Sequence, residues 1–182
     1  MRVSKEKAAE NRARILAEAG RLFRERGLGG VGVDTLAAAA GLTHGSLYSQ
    51  FGSKEQLAVE ALAEALAEAG RKHEGKELDA FLDQYLSTRH RDAVGAGCAV
   101  TALCSEMPRQ APPVRARFTE GVRAMAARIG EKLARRRGVA SEEETLATLS
   151  AVVGALVLAR AVDDEELSGR ILAATKARLL AE

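Results

Sequence analysis

Between Gly41 and Leu57 the sequence reads GLTHGSLYSQFGSKEQL, and Thr43, His44, Ser46, Tyr48, Ser49 and Gln50 within it carry groups that donate and accept hydrogen bonds. Such groups suit contacts with phosphates and with the edges of bases. Gly45 lets one backbone approach another closely. Lys54 stands at the start of the following helix, where its ammonium and free backbone N–H groups together suit a phosphate. Elsewhere the chemically capable residues do not assemble. His44, His73 and His90 have no metal-ligand spacing, and no nucleophile, base and orienting acid group together, so neither a metal site nor an enzyme is expected. His90-Arg91-Asp92 is similar to the catalytic loop of protein kinases, but Gly97 stands where that pattern requires Asn, and no phosphate loop or DFG accompanies it. Cys98 and Cys104 form no CxxC pair, which argues against a zinc module or a disulfide scaffold. No cofactor is implied.

The elements that must position the polar stretch are legible around it. Thr43 is a natural N-cap for a helix reaching about Phe51, with Leu47 and Phe51 on one face at i, i+4 spacing. Val33–Ala40 predicts a short helix halted by Gly41, and Lys5–Arg26 a long one with Ile15, Leu16, Ala19, Leu22 and Phe23 at helical spacing. Two short helices joined by a glycine turn and braced by a third match the helix-turn-helix unit, whose second helix enters the major groove of DNA. Leu36, Ala40, Leu42, Leu47 and Phe51 would hold that helix from one side and leave its polar sides free. Ser53 with Gln56 forms a capping box that opens a fourth helix, to about Gly70. Charge is distributed accordingly: residues 1–54 carry nine Lys or Arg against five acids, and residues 55–182 eighteen against twenty.

The rest of the 182-residue chain is rich in Leu, Ala, Glu and Arg and poor in strand-like clusters, so the fold class is all-α. Residues 1–52 form the expected three-helix helix-turn-helix domain, and residues 53–182 a second helical domain. No apolar run approaches the roughly 18 residues of a membrane span, and the amino terminus lacks a signal-peptide stretch. No membrane partner is expected, and the expected location is cytoplasmic. The arginines at 135–137 before Gly138 and the acids at 163–166 are read as solvated charges favoured by helix dipoles.

The run RILAEAGRLFRERGLGGVGVDTLAAAAGLTHGSLYSQFGSKEQL, Arg14 to Leu57, resembles the DNA-binding domain of the TetR family of bacterial transcriptional regulators. Beyond it, the helical layout and the segment GCAVTALCSEMPRQAPPVRARFTEGV are similar to some members. The resemblance implies a homodimer that binds a palindromic double-stranded operator through residues 1–52, the DNA-binding domain, and answers a small-molecule effector through residues 53–182, a helical ligand-binding and dimerisation domain. Carried over by position, it implies that Thr43, His44, Gly45, Ser46, Tyr48, Ser49, Gln50 and Lys54 contact DNA. One departure is Gly32, where the family usually opens helix two with Thr; Thr35, one turn on, is the substitute hydroxyl.

For the second domain, Phe81, Tyr85, Val100, Leu103, Met107, Phe118, Val122 and Met125 are pocket candidates, and as a set they suggest a largely apolar effector. Each is also what an amphipathic helix needs merely to pack. Leu149, Val153, Gly154, Leu156 and Val157 are the candidate dimer interface on the last two helices. Cys98 at a helix start is a candidate redox sensor, against which stands its reading as a small buried hydrophobe. The function expected is a ligand-responsive repressor. The alternatives are a helical small-molecule-binding or enzymatic protein with a vestigial helix-turn-helix, and a thiol-based repressor using Cys98.

Overall fold

The computed structural model describes residues 5–181, among which the chain forms ten α-helices and no strand. The amino-terminal layer consists of α1 (Lys5–Arg26), α2 (Val33–Ala39) and α3 (His44–Phe51), and α4 (Lys54–His73) leads out of it. The remaining helices are α5 (Leu78–Tyr85), α6 (Thr88–Asp92), α7 (Ala99–Leu103), α8 (Pro112–Arg137), α9 (Glu142–Ala161) and α10 (Glu165–Ala181). Local chemistry sets the bounds of the short helices. Thr43 Oγ1 accepts from the Ser46 N–H at 3.2 Å and so caps α3, while Gly41 makes the turn before it at φ +67°. Gly30 closes the turn after α1 because a Cβ there would lie 2.1 Å from the Arg26 carbonyl oxygen. Ser53 accepts from the Gln56 N–H at 3.0 Å and caps α4, yet the Gln56 side chain donates to Glu60 at 3.1 Å, so the box closes on one side only.

Two apolar cores result. The first gathers Ile15, Leu22 and Phe23 of α1, Leu36 of α2, Leu47 and Phe51 of α3, and Leu57, Ala61 and Leu62 of α4. Leu103, Met107 and Val114 join it from the second half of the chain, so this core continues across the turn at residues 52 and 53. The second core packs Leu78, Phe81, Leu82 and Tyr85 of α5 against Ile129 and Leu133 of α8 and Leu149, Val152 and Leu156 of α9. Helix α4 outruns the expected stop at Gly70 and reaches His73, because the Lys132 ammonium donates to the carbonyls of His73 at 2.9 Å and Lys76 at 2.6 Å. Those bonds satisfy backbone acceptors at the helix end.

Helix α9 departs from expectation twice. With a mean hydropathy of 1.5 over 18 residues it is long and apolar enough to cross a bilayer, although no uninterrupted apolar run announces it. Leu149 and Leu156, expected at a dimer interface, are instead 6% and 0% exposed within the chain's own core. The reason is that α9 is apolar on more than one side. Its outer side carries Leu146 and Leu158, which are exposed, and Val153, Gly154 and Val157, which are half-buried.

Leu47, fully buried, is the main anchor of α3 to the first core. Leu47→Ala should destabilise the protein by roughly 2–5 kcal/mol, read as a lower midpoint in chemical denaturation; an unchanged midpoint would mean that α3 is held otherwise.

Candidate nucleic-acid interface and effector cavity

Helix α3 buries Leu47 and Phe51 and turns its other sides outward. Thr35, Thr43, His44, Gly45, Tyr48, Ser49 and Gln50 are exposed and Ser46 and Lys54 half-buried, so the sequence-selected residues are open to solvent in the free chain. Several are already oriented. The Thr43 and Ser46 hydroxyls lie 2.9 Å apart, Ser49 Oγ donates to the Ser46 carbonyl at 2.9 Å, and the His44 and Tyr48 rings sit 5.1 Å apart. His44 Nδ1 meets the exposed Asp34 carboxylate of α2 at 2.6 Å. A Cβ on Gly45 would meet nothing within 4 Å, so the protein itself makes no close backbone approach there. Any partner served by the missing side chain lies outside the chain.

Two residues of this region were not singled out from sequence. Arg12 of α1 lays its guanidinium 4.3 Å from the Phe51 ring centroid, donates to the Gln50 carbonyl at 3.1 Å and pairs with Glu60. It ties α1 to the end of α3 and to α4. Glu106 accepts from the Leu28 N–H at 3.0 Å, while Lys54 Nζ donates to the Leu28 carbonyl at 2.8 Å. Lys54 therefore has a structural bond in the free chain, and its ammonium keeps further donors for a phosphate.

A second site lies where α4, α5 and α8 diverge. It is a cavity of about 330 Å³, within the range that holds small organic ligands. Of the expected pocket residues, Phe81, Tyr85 and Met125 line it. Leu103 and Met107 belong to the first core, Val100 to the second, and Phe118 and Val122 pack half-buried against them. Apolar spacing marks what is buried but not which buried groups a neighbouring helix leaves uncovered. Sequence reading also missed the polar lining: Arg24, Glu68, Lys72, His73, His90, Arg128 and Lys132. The signal for Lys132 was present, because it occupies a core position beside Ile129 and Leu133.

His90 and Cys98 of this cavity are linked. His90 Nδ1 lies 2.8 Å from the Tyr85 carbonyl and its Nε2 3.1 Å from the Cys98 nitrogen, which requires a neutral ring with the proton on Nδ1 and Nε2 accepting. Cys98 is buried at the N-cap position of α7, a helix of five residues, with no side-chain capping bond, and Cys104 is half-buried. The Tyr85 hydroxyl bonds to Thr101 Oγ1 at 2.7 Å, and burial pushes its pKa well above the ordinary tyrosine value. Burial is also the main cause that lowers His73 to about 4, followed by the charges of Lys76, His90, Lys132 and Arg128. His90 is lowered too, mainly by burial.

Residues 15–61 match the family described as bacterial regulatory proteins, tetR family, and residues 75–175 match the tetracyclin repressor-like C-terminal domain. The HTH-type transcriptional regulator LmrA of Bacillus subtilis is 29% identical over 158 residues, which span 81% of this chain and 82% of that protein. TtgR of Pseudomonas putida, another HTH-type transcriptional regulator, is 40% identical over 68 residues, 37% of this chain and 32% of its own length. Among solved structures, reduced E. coli NemR superposes with a TM-score of 0.78 at 23% identity over 93% of this chain and 95% of its own, which speaks to the fold. A regulator from Chloroflexus aurantiacus gives 0.79 at 24% identity, over 97% and 95%.

The two neutral histidines make stability depend on pH in a definite direction. Unfolded, each takes up a proton near pH 6.5, whereas the folded chain holds His73 neutral down to about 4. Their folded pKa values are depressed, so stability is complete above about pH 6.5 and declines as the pH falls towards 4. Melting temperature should therefore fall between pH 7 and 5, and fall less steeply in His73→Gln; equal slopes in the two proteins would remove His73 as a cause.

Proposed function

Because the chain belongs to the TetR family of bacterial regulators and is thus a ligand-responsive, DNA-binding transcriptional regulator, we propose that it acts as a homodimeric repressor. It leaves a palindromic operator when an effector fills the cavity. The observation that carries this reading is the course of α4. Its first half buries Leu57, Ala58, Ala61 and Leu62 beneath the recognition helix, while Ala65, Glu68, Ala69, Lys72 and His73 line the cavity. Since α3 ends at Phe51 and α4 begins at Lys54, a displacement of α4 carries α3 with it. Two recognition helices must stand about 34 to 36 Å apart to meet successive major grooves. A ligand that prefers a dimer with another spacing lowers operator affinity by linkage. Repression is the direction proposed, the compartment is that of the DNA, the cytoplasm, and no catalytic step is assigned.

On this reading residues 1–52 serve DNA recognition and residues 53–182 ligand binding and dimerisation. Thr43, His44, Gly45, Ser46, Tyr48, Ser49 and Gln50 read the groove, and Thr35 and Lys54 hold phosphates. The dimer forms through the outer side of α9 with α10, where Leu146, Leu158 and Leu167 are exposed and Val153, Gly154 and Val157 adjoin them. Leu149 and Leu156 are left out of that interface by their burial.

Selection of bound duplexes from a random pool should enrich a palindrome; enrichment without two-fold symmetry, or none, would overturn the reading. With the selected duplex, Lys54→Ala should weaken binding across sequences and lower the logarithmic salt slope by roughly one, as expected for one lost phosphate contact. Gly154→Glu provides the test of the dimer. A Cβ there meets nothing within 4 Å in the single chain, so the fold tolerates it while a packed partner does not. Light scattering should show monomers, and an intact dimer would move the interface elsewhere.

A further inference from the structure

The cavity joins apolar walls to unspent cationic donors, and we propose that its effector is a small organic anion, a flat apolar body bearing one carboxylate-type group. This rests on the regulatory reading of the cavity and specifies the ligand class that the apolar candidates alone left open.

The donors come first. Lys132 is 3% exposed and has no ion-pair partner among the described residues; its ammonium donates two hydrogen bonds, to the carbonyls of His73, the last residue of α4, and of Lys76 in the connection beyond. An ammonium has three N–H groups, and these two carbonyls take two of them. Around the ammonium stand these two carbonyls and the Phe81 ring, 5.9 Å away, while Glu77 and Glu131 add favourable charge without forming an ion pair with it, so the buried cation remains incompletely compensated, which an anion would correct. The Arg128 guanidinium makes no hydrogen bond or ion pair among the described residues, and it lies 3.3 Å from where a Cβ on Gly70 would stand, so the glycine leaves it room. Its planar fork matches a carboxylate in two-point fashion. His73 Nδ1 is buried with no partner among the described residues and offers a further polar contact. Glu68 is the one acid lining the cavity, and Lys72 holds it at 2.7 Å.

The body of the ligand follows from the walls. The Phe81 and Tyr85 rings stand 5.3 Å apart, and Met125 and Ile129 face the same space from α8. The Tyr85 hydroxyl is held 2.7 Å from Thr101 Oγ1, so what the tyrosine contributes to the wall is its ring. Flat apolar matter packs against such rings. Arg24 reaches the rim from α1, its Nε donating to the Gly95 carbonyl at 2.6 Å. An anion drawing on Arg24 would loosen that bond, and with it the end of the helix that braces the reading head.

The test uses the full chain and two probes of nearly equal shape, naphthalene-2-carboxylate and naphthalene-2-carboxamide, in calorimetric titrations. The carboxylate should bind roughly tenfold or more tightly than the amide, as expected for charge-assisted hydrogen bonds. Arg128→Gln should remove most of that preference while leaving the amide's affinity in place. Lys132→Met should do the same, and if it fails to fold the Arg128 variant still decides. Equal affinities of the two probes, binding of neither, or a preference untouched by Arg128→Gln would overturn the proposal. Repeating the titrations with the selected duplex present separates this from the regulatory reading. An amide that binds as well as the acid and releases DNA sinks the anion but keeps the regulator. A preferred acid that leaves DNA binding unaltered does the reverse.

Discussion

Helix α4 must satisfy two packing problems with one set of backbone hydrogen bonds. Its first turns are fixed by Leu57, Ala58, Ala61 and Leu62 in the core beneath the recognition helix, and its last turns border the cavity through Ala65, Ala69 and His73. A helix is stiff along its axis because each residue is bonded to the one four places on. Neither end can therefore shift without the other, and close-packed interiors answer such displacements by moving between discrete arrangements. Small side chains at 58, 61, 65 and 69 bring the neighbouring helices near enough for this coupling to be felt.

A polar joint reinforces the apolar one. The loop after α1 is gripped by Glu106, which accepts from the Leu28 and Gly29 N–H groups, and by Lys54, which donates to the Leu28 carbonyl. Arg24 fastens the end of α1 to Gly95. The bonds of Glu106 and Arg24 link residues some 70 to 80 positions apart in sequence. They pair backbone groups of a turn that would otherwise rely on water. The amino-terminal helices and the second half of the chain thus share bonds as well as a core, and Arg24 of those bonds also lines the cavity.

Much of the head was legible because its signals are local. Thr43, Ser53 and Gly41 act within a turn of where they stand, and Leu47 and Phe51 declare their face by spacing alone. The cavity was legible in part. Phe81, Tyr85 and Met125 follow from apolar stripes, but Arg24, His73 and Arg128 reach it from three different helices, and no one-dimensional pattern brings them together. Helix α9 shows the same limit. Its apolar residues surround the helix, so sequence could not decide that Leu149 and Leu156 face inward while Leu146 and Leu158 face out. Long-range bonds such as Glu106 to Leu28 leave no trace in spacing at all.

The central claim is that occupation of the cavity is felt at the recognition helix through α4. It can be tested without knowing the effector, by filling the cavity from within. Ala69 lines it from α4, and Ala69→Phe places a ring in the space a ligand would take. The measurement is affinity for the duplex selected by the unaltered protein, with circular dichroism establishing that the helices are retained. The account predicts a marked loss of affinity in a protein that is still folded and dimeric. Undiminished affinity in that folded variant would contradict it.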